Sequence, residues 1–157
     1  MRVKDEPETC SLAAAFCELA SPGTFIGLQG ELGAGKTAFV RGFASALNAS
    51  SQVSSPSYVL EHVYTGDTNG ALKAISHWDL YRLAPESAIE EILEYRGSSD
   101  CAVLIEWPDR VSALEPFLDY LIEIRFLQEG SETGREVVFK RFPVEVASAL
   151  RFLAGKN

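Results

Sequence analysis

The residues Gly30-Glu31-Leu32-Gly33-Ala34-Gly35-Lys36-Thr37 match the pattern G-x-x-x-x-G-K-[ST] at every position. In such a loop successive backbone N–H groups point inward and cradle an anion, and the helix that follows adds the partial positive charge of its N-terminus. Glycine is needed where a Cβ would block close approach or where the backbone takes a positive φ. Lys36 would bring a full charge to the β- and γ-phosphates, and the Thr37 hydroxyl would ligate Mg²⁺. The chemistry indicated is binding of a nucleoside triphosphate with its metal.

That chemistry also needs carboxylates near the loop, at strand ends. Asp79 follows Ile75-Ser76-His77-Trp78, and Glu106 follows the apolar run Ala102-Val103-Leu104-Ile105 that would deliver it to a sheet edge. Ser54-Ser55-Pro56-Ser57-Tyr58 is rich in hydroxyls and stands where a γ-phosphate sensor would lie in a switch protein. Arg41, Arg82 and Arg135 are candidate phosphate or base contacts. His77, beside Trp78, reads as a hydrogen-bonded core residue, and with His62 as the one other histidine a zinc site is not expected.

These groups require a frame. Glu8 to Ala20 carries Leu12, Ala15, Phe16 and Leu19 at helical spacing and is stopped by Pro22-Gly23. Thr24 to Gln29 reads as a strand buried on both faces, and Gly35 to Leu47 as the helix leaving the loop. Tyr58 to Tyr64 and Ala71 to Trp78 flank a polar turn, a hairpin pattern. Pro85 to Tyr95 reads as a helix ending near Gly97, and Cys101 to Ile105 as a second buried strand. Leu118 to Leu127 and Glu136 to Phe142 form a β-pair around Gly130 and Gly134, followed by a closing helix from Val144 to Ala154. The expected architecture is a single α/β domain over residues 1–157, a P-loop NTPase-like three-layer sandwich whose central parallel strands are extended by antiparallel hairpins.

The balance of 14 Lys+Arg against 22 Asp+Glu gives a net charge of −8, which repels polyanions and argues against direct grip on nucleic acid. No apolar run approaches the roughly 20 residues of a membrane span, and no signal peptide is read at the start, so the chain is expected to be cytoplasmic. Cys10, Cys17 and Cys101 are odd in number, lack a CxxC pair and are expected to be reduced core thiols.

In order, Gly30 to Thr37, Ser55-Pro56-Ser57-Tyr58, His77-Trp78-Asp79-Leu80-Tyr81-Arg82-Leu83 and Ile105-Glu106-Trp107-Pro108 resemble the bacterial TsaE (YjeE) family over nearly the whole chain. Ser57 stands where that family often has Thr, and Trp78 where Phe is usual. The resemblance implies a weak ATPase, stimulated by partners, that is required for N6-threonylcarbamoyladenosine in tRNA. It would act with TsaB and TsaD and reach tRNA only through that complex, with TsaC supplying the adenylate. ATP would be held by Thr9, by Glu31, Leu32, Gly33, Ala34, Gly35, Lys36, Thr37 and Ala38, and by Arg135. Thr37 and Glu106 would hold Mg²⁺; Lys36, Asp79 and Glu106 would carry catalysis; Ser55, Pro56, Ser57 and Tyr58 would form the switch loop. A nucleotide-gated binding module without essential turnover and a small-molecule kinase share the scaffold. A guanine signature of the Asn/Thr-Lys-x-Asp type is absent, which disfavours a GTPase.

Overall fold

The computed structural model describes residues 1–49, 53, 61–81, 87–129 and 132–154. Among these residues one sheet has seven strands in the order β1-β7-β6-β2-β5-β4-β3. They are β1 (Arg2–Val3), β2 (Phe25–Gln29), β3 (Glu61–Thr65), β4 (Ala74–Asp79), β5 (Cys101–Glu106), β6 (Tyr120–Glu129) and β7 (Glu132–Arg141). The adjacent strands β6, β2, β5 and β4 run parallel. β3 joins β4, β7 joins β6 and β1 joins β7 antiparallel. The parallel centre with antiparallel extensions is the architecture expected from the apolar runs and the hairpin signals.

Each face of the sheet is covered. On one face α1 (Glu6–Cys17), α2 (Lys36–Ala46) and α4 (Ala147–Ala154) bury Leu12, Phe16, Phe39, Val40, Phe43 and Leu150 against Ile26, Leu28, Leu104 and Ile122. Phe16 anchors this layer, its ring 5.0 Å from Tyr120, 5.2 Å from Phe139 and 5.9 Å from Phe39. On the other face α3 (Ser87–Glu94) and the 3₁₀ stretch Ser112–Phe117 close over Phe25, Trp78, Val103 and Ile105. Because strand side chains alternate, this division sorts the tips of β4 and β5. His77, Asp79, Leu104 and Glu106 share the α2 face, and Trp78 and Ile105 share the opposite one.

Several boundaries differ from expectation. α1 begins two residues before Glu8, because Asp5 caps it by accepting from Glu8 N at 2.9 Å while the Glu8 carboxylate accepts from Lys4 N at 2.8 Å. β1 is too short for periodicity to reveal. Gly134 is a strand residue opposite Leu127 rather than part of a turn; Val3 O of β1 lies 2.9 Å from where its Cβ would stand. The closing helix opens with a 3₁₀ turn, Val144–Val146.

Cys17 and Cys101 are buried and free, with burial pushing their thiols up to about 12 and about 11. Cys10 is not a core thiol: it is half-buried, and its Sγ donates to Ala38 O at 3.2 Å. Among the described residues no helix is long and apolar enough to cross a membrane.

α1 and α2 cross at Gly42, where a Cβ would stand 2.2 Å from Cys10 O. Gly42→Ala is therefore expected to lower stability by about 1–3 kcal/mol through overpacking. Urea unfolding checks this, and a midpoint equal to that of the parent would contradict the close crossing.

Candidate functional site

The glycine-rich loop leaves β2 and turns directly into α2. Gly30 must be glycine because a Cβ there would stand 2.2 Å from Ile124 O. Gly35 is the N-cap of α2 at φ 114°, a left-handed conformation that L side chains rarely adopt, and no side chain caps the helix. The loop and the first turn of α2 line a cleft of about 410 Å³. A helix N-terminus in such a place leaves backbone N–H groups without intrahelical partners, the feature that anion sites use.

Leu32, Gly33, Gly35, Lys36, Thr37 and Ala38 line that cleft from the loop side. Asp79 and Tyr81 from the end of β4, and Glu106 and Trp107 from the end of β5, line it from the sheet. The register explains the convergence: Asp79 pairs with Glu106, and Glu106 with Leu28, one residue before the loop strand ends.

Thr37 Oγ1 donates to Glu106 Oε1 at 2.8 Å. His77 Nε2 lies 2.9 Å from the same oxygen. Glu106 is only 3% exposed, so this carboxylate is a buried acceptor supplied with donors by two other elements. Asp79 Oδ1 accepts from Tyr81 N at 3.0 Å, which turns the chain at the mouth of the cleft.

Lys36 is buried, its ammonium donating to Gly30 O at 2.7 Å and Glu31 O at 2.8 Å and standing 3.8 Å over the Trp107 ring. Burial holds it below the usual lysine range, while the charges of Glu106, Asp79 and Asp109 oppose the shift. Tyr81 packs against the same indole, ring centroids 4.9 Å apart and planes tilted by 42°. Arg41 reaches the cleft from α2 and is ion-paired with Glu6.

Thr9, Glu31, Ala34 and Arg135 are not among the cleft-lining residues. Thr9 is fully buried behind the loop, its hydroxyl donating to Asp5 O at 3.0 Å and its Cγ2 3.9 Å from the position of a Gly35 Cβ. Arg135 buttresses the loop from β7, with Nε donating to Ala34 O at 3.2 Å. Glu31 contributes its carbonyl to Lys36, and the buried Ala34 donates its N–H to Glu31 O at 3.1 Å. Ser55, Pro56, Ser57, Tyr58 and Arg82 lie outside the described residues.

Two features were missed by sequence reasoning. The carboxylate contact of His77 was signalled by strand alternation, which places 77 on the side of 79. Trp107 adopts φ 59°, ψ 47°, an unusual left-handed conformation that no sequence signal announces. Its N–H donates to Leu28 O at 3.0 Å, so the strained residue is held by its backbone as well as its ring. Trp107→Gly is expected to be more stable than Trp107→Ala by about 1 kcal/mol, because only the alanine keeps the left-handed penalty. Paired urea unfolding curves check the order, and the ordinary ranking of alanine above glycine would contradict it.

The family model described as threonylcarbamoyl adenosine biosynthesis protein TsaE matches residues 3–137. A protein of Treponema pallidum named tRNA threonylcarbamoyladenosine biosynthesis protein TsaE is 34% identical over 129 residues, 79% of this chain and 89% of the relative. A protein of the same name from Bacillus subtilis is 32% identical over 139 residues, 88% of this chain and 82% of the relative. The crystal structure of Bacillus subtilis YdiB superimposes with a TM-score of 0.69 at 26% identity, covering 99% of this chain and 93% of that one, which supports the P-loop NTPase-like fold. On the family match and these relatives, the chain belongs to the TsaE family.

Proposed function

We propose that this protein binds and hydrolyses Mg²⁺-ATP to drive formation of N6-threonylcarbamoyladenosine in tRNA, acting on the TsaB–TsaD complex in the cytoplasm. The observation that carries this reading is the meeting of Thr37 and Glu106 beneath a glycine-rich amide cradle. The names of the relatives support the pathway.

The site's donors fit the metal. A hydroxyl and nearby carboxylates are hard oxygen ligands, and among the described residues no cluster of three or more His, Cys, Asp or Glu could enclose an ion. Mg²⁺ characteristically takes one or two protein oxygens and completes its shell with waters and substrate phosphates. Thr37 and Glu106 would hold it, and it would offset the charge that develops on the transferred phosphoryl group.

The chain's own groups do the rest. Amides of Leu32, Gly33, Gly35, Lys36, Thr37 and Ala38, the loop residues that line the cleft, orient the phosphates, while Glu31 and Ala34 shape the loop behind them; Lys36 exchanges its two carbonyl partners for phosphate oxygens. Asp79 supports the metal shell or the attacking water. Thr9 and Arg135 steady the loop from behind, on the side proposed to receive the adenine. The segment Ser55, Pro56, Ser57 and Tyr58 is proposed to sense the γ-phosphate and report it to TsaB–TsaD.

Turnover alone should be slow, since Arg41 at the cleft is tied to Glu6. A partner that supplies the missing charge can be worth 10³–10⁵ in related nucleotide-hydrolysing classes. The net charge of −8 suits docking on protein rather than on tRNA phosphates.

Reconstitution of tRNA modification with TsaB, TsaC and TsaD over several turnovers is expected to stall without this chain. Glu106→Gln should lower partner-stimulated ATP turnover about 100-fold or more, the scale of removing one preorganised electrostatic group, and should fail to restore modification. Full modification with that variant would favour a binding module over an ATPase.

A further inference from the structure

The face of β4 that carries Asp79 also carries His77, which is fully buried and central to no step described so far. Its Nε2 lies 2.9 Å from Glu106 Oε1, the oxygen that also accepts from Thr37. Where Glu106 stands as a carboxylate, which can only accept, this contact is a hydrogen bond donated by Nε2–H. Nδ1 is buried and, among the described residues, has no hydrogen-bond partner.

With no partner for Nδ1 among the described residues, packing alone gives a poor account of a histidine here. A histidine kept for packing alone leaves a buried polar atom unsatisfied, a defect that Leu or Phe in the same place would not carry. What His77 does and an apolar residue could not do is donate to Glu106. The ring is held for that purpose: His77 pairs with Leu104 on β5 and His62 on β3, and Tyr64 packs against it with ring centroids 6.2 Å apart at 33°. Tyr64 is tied in turn to His62, its hydroxyl 3.2 Å from His62 Nδ1.

Resting on the proposed function, we propose that His77 is a positioning residue that fixes the Glu106 carboxylate for Mg²⁺. By occupying one lone pair of Oε1 it sets the plane of the carboxylate, so that Oε2 and the Thr37 hydroxyl present to the cleft together. Partners that orient a metal-binding group characteristically change metal affinity 10–100-fold when removed.

The test measures Mn²⁺ binding in the presence of ADP by electron paramagnetic resonance, alongside the Mg²⁺ dependence of ATP turnover by the full chain. His77→Phe and His77→Leu, which keep bulk without a donor, should weaken Mn²⁺ binding 10–100-fold and raise the Mg²⁺ concentration for half-maximal turnover more than they lower the maximum. His77→Gln, which restores an N–H at similar reach, should recover most of that loss. In a Glu106→Gln background the His77 substitutions should cost little further, since residues in one network are not additive. Equal Mn²⁺ affinity in the parent and in a folded His77→Phe or His77→Leu variant would overturn the inference. So would equal losses with Gln, Leu and Phe. If Glu106→Gln itself binds Mn²⁺ like the parent, it is the proposed metal site that fails.

Discussion

A carboxylate that is 3% exposed is costly to keep charged unless donors reach it, and at Glu106 they come from two other elements. Thr37 Oγ1 donates at 2.8 Å from the first turn of α2, across 69 positions of chain, and His77 lies 2.9 Å away on the neighbouring strand. The Lys36 ammonium adds charge attraction from the same loop helix. One buried acidic group therefore couples the glycine-rich loop, β4 and β5 into a single arrangement. Losing one of its donors would leave the carboxylate with fewer hydrogen bonds inside the fold.

The surrounding architecture serves that convergence. The parallel centre of the sheet points the ends of β2, β4 and β5 in one direction, so the loop and both acids open on the same cleft. Behind the loop the support is steric and polar at once. Arg135 holds the Ala34 carbonyl, Thr9 packs beside Gly35, and Gly42 lets α1 approach α2 closely enough to carry Thr9 there. On the open side, the left-handed Trp107 offers its ring to Lys36 and Tyr81. Strain of this kind persists only where surrounding contacts over-determine it, and it clusters at binding sites.

Much of this was legible in the residue pattern because its signals are local. The glycine-rich loop needs particular residue types at fixed spacing, the buried strands read as unbroken apolar runs, and Asp79 and Glu106 stand where those runs end. Other features depend on distant chain. β1 exists because β7 offers it an edge, Gly134 is a strand residue because β1 covers it, and the start of α1 rests on a side-chain cap. The backbone of Trp107 is set by its contacts to Leu28, Lys36 and Tyr81, none adjacent in sequence. His77 lies between these cases: alternation placed it on the acidic face, but without the register of β4 on β5 its partner could not be named, and it read as a plain core histidine.

A crystal structure of the protein with a non-hydrolysable ATP analogue and Mg²⁺ would show directly whether the Thr37–Glu106 pair lies at a nucleotide and metal site. The triphosphate should lie against the amides of Leu32, Gly33 and Gly35 to Ala38, with Lys36 turned from the carbonyls of Gly30 and Glu31 onto phosphate and the ion held by Thr37 and Glu106. A nucleotide seated elsewhere, or an ion away from both residues with the Thr37–Glu106 hydrogen bond intact, would contradict this placement.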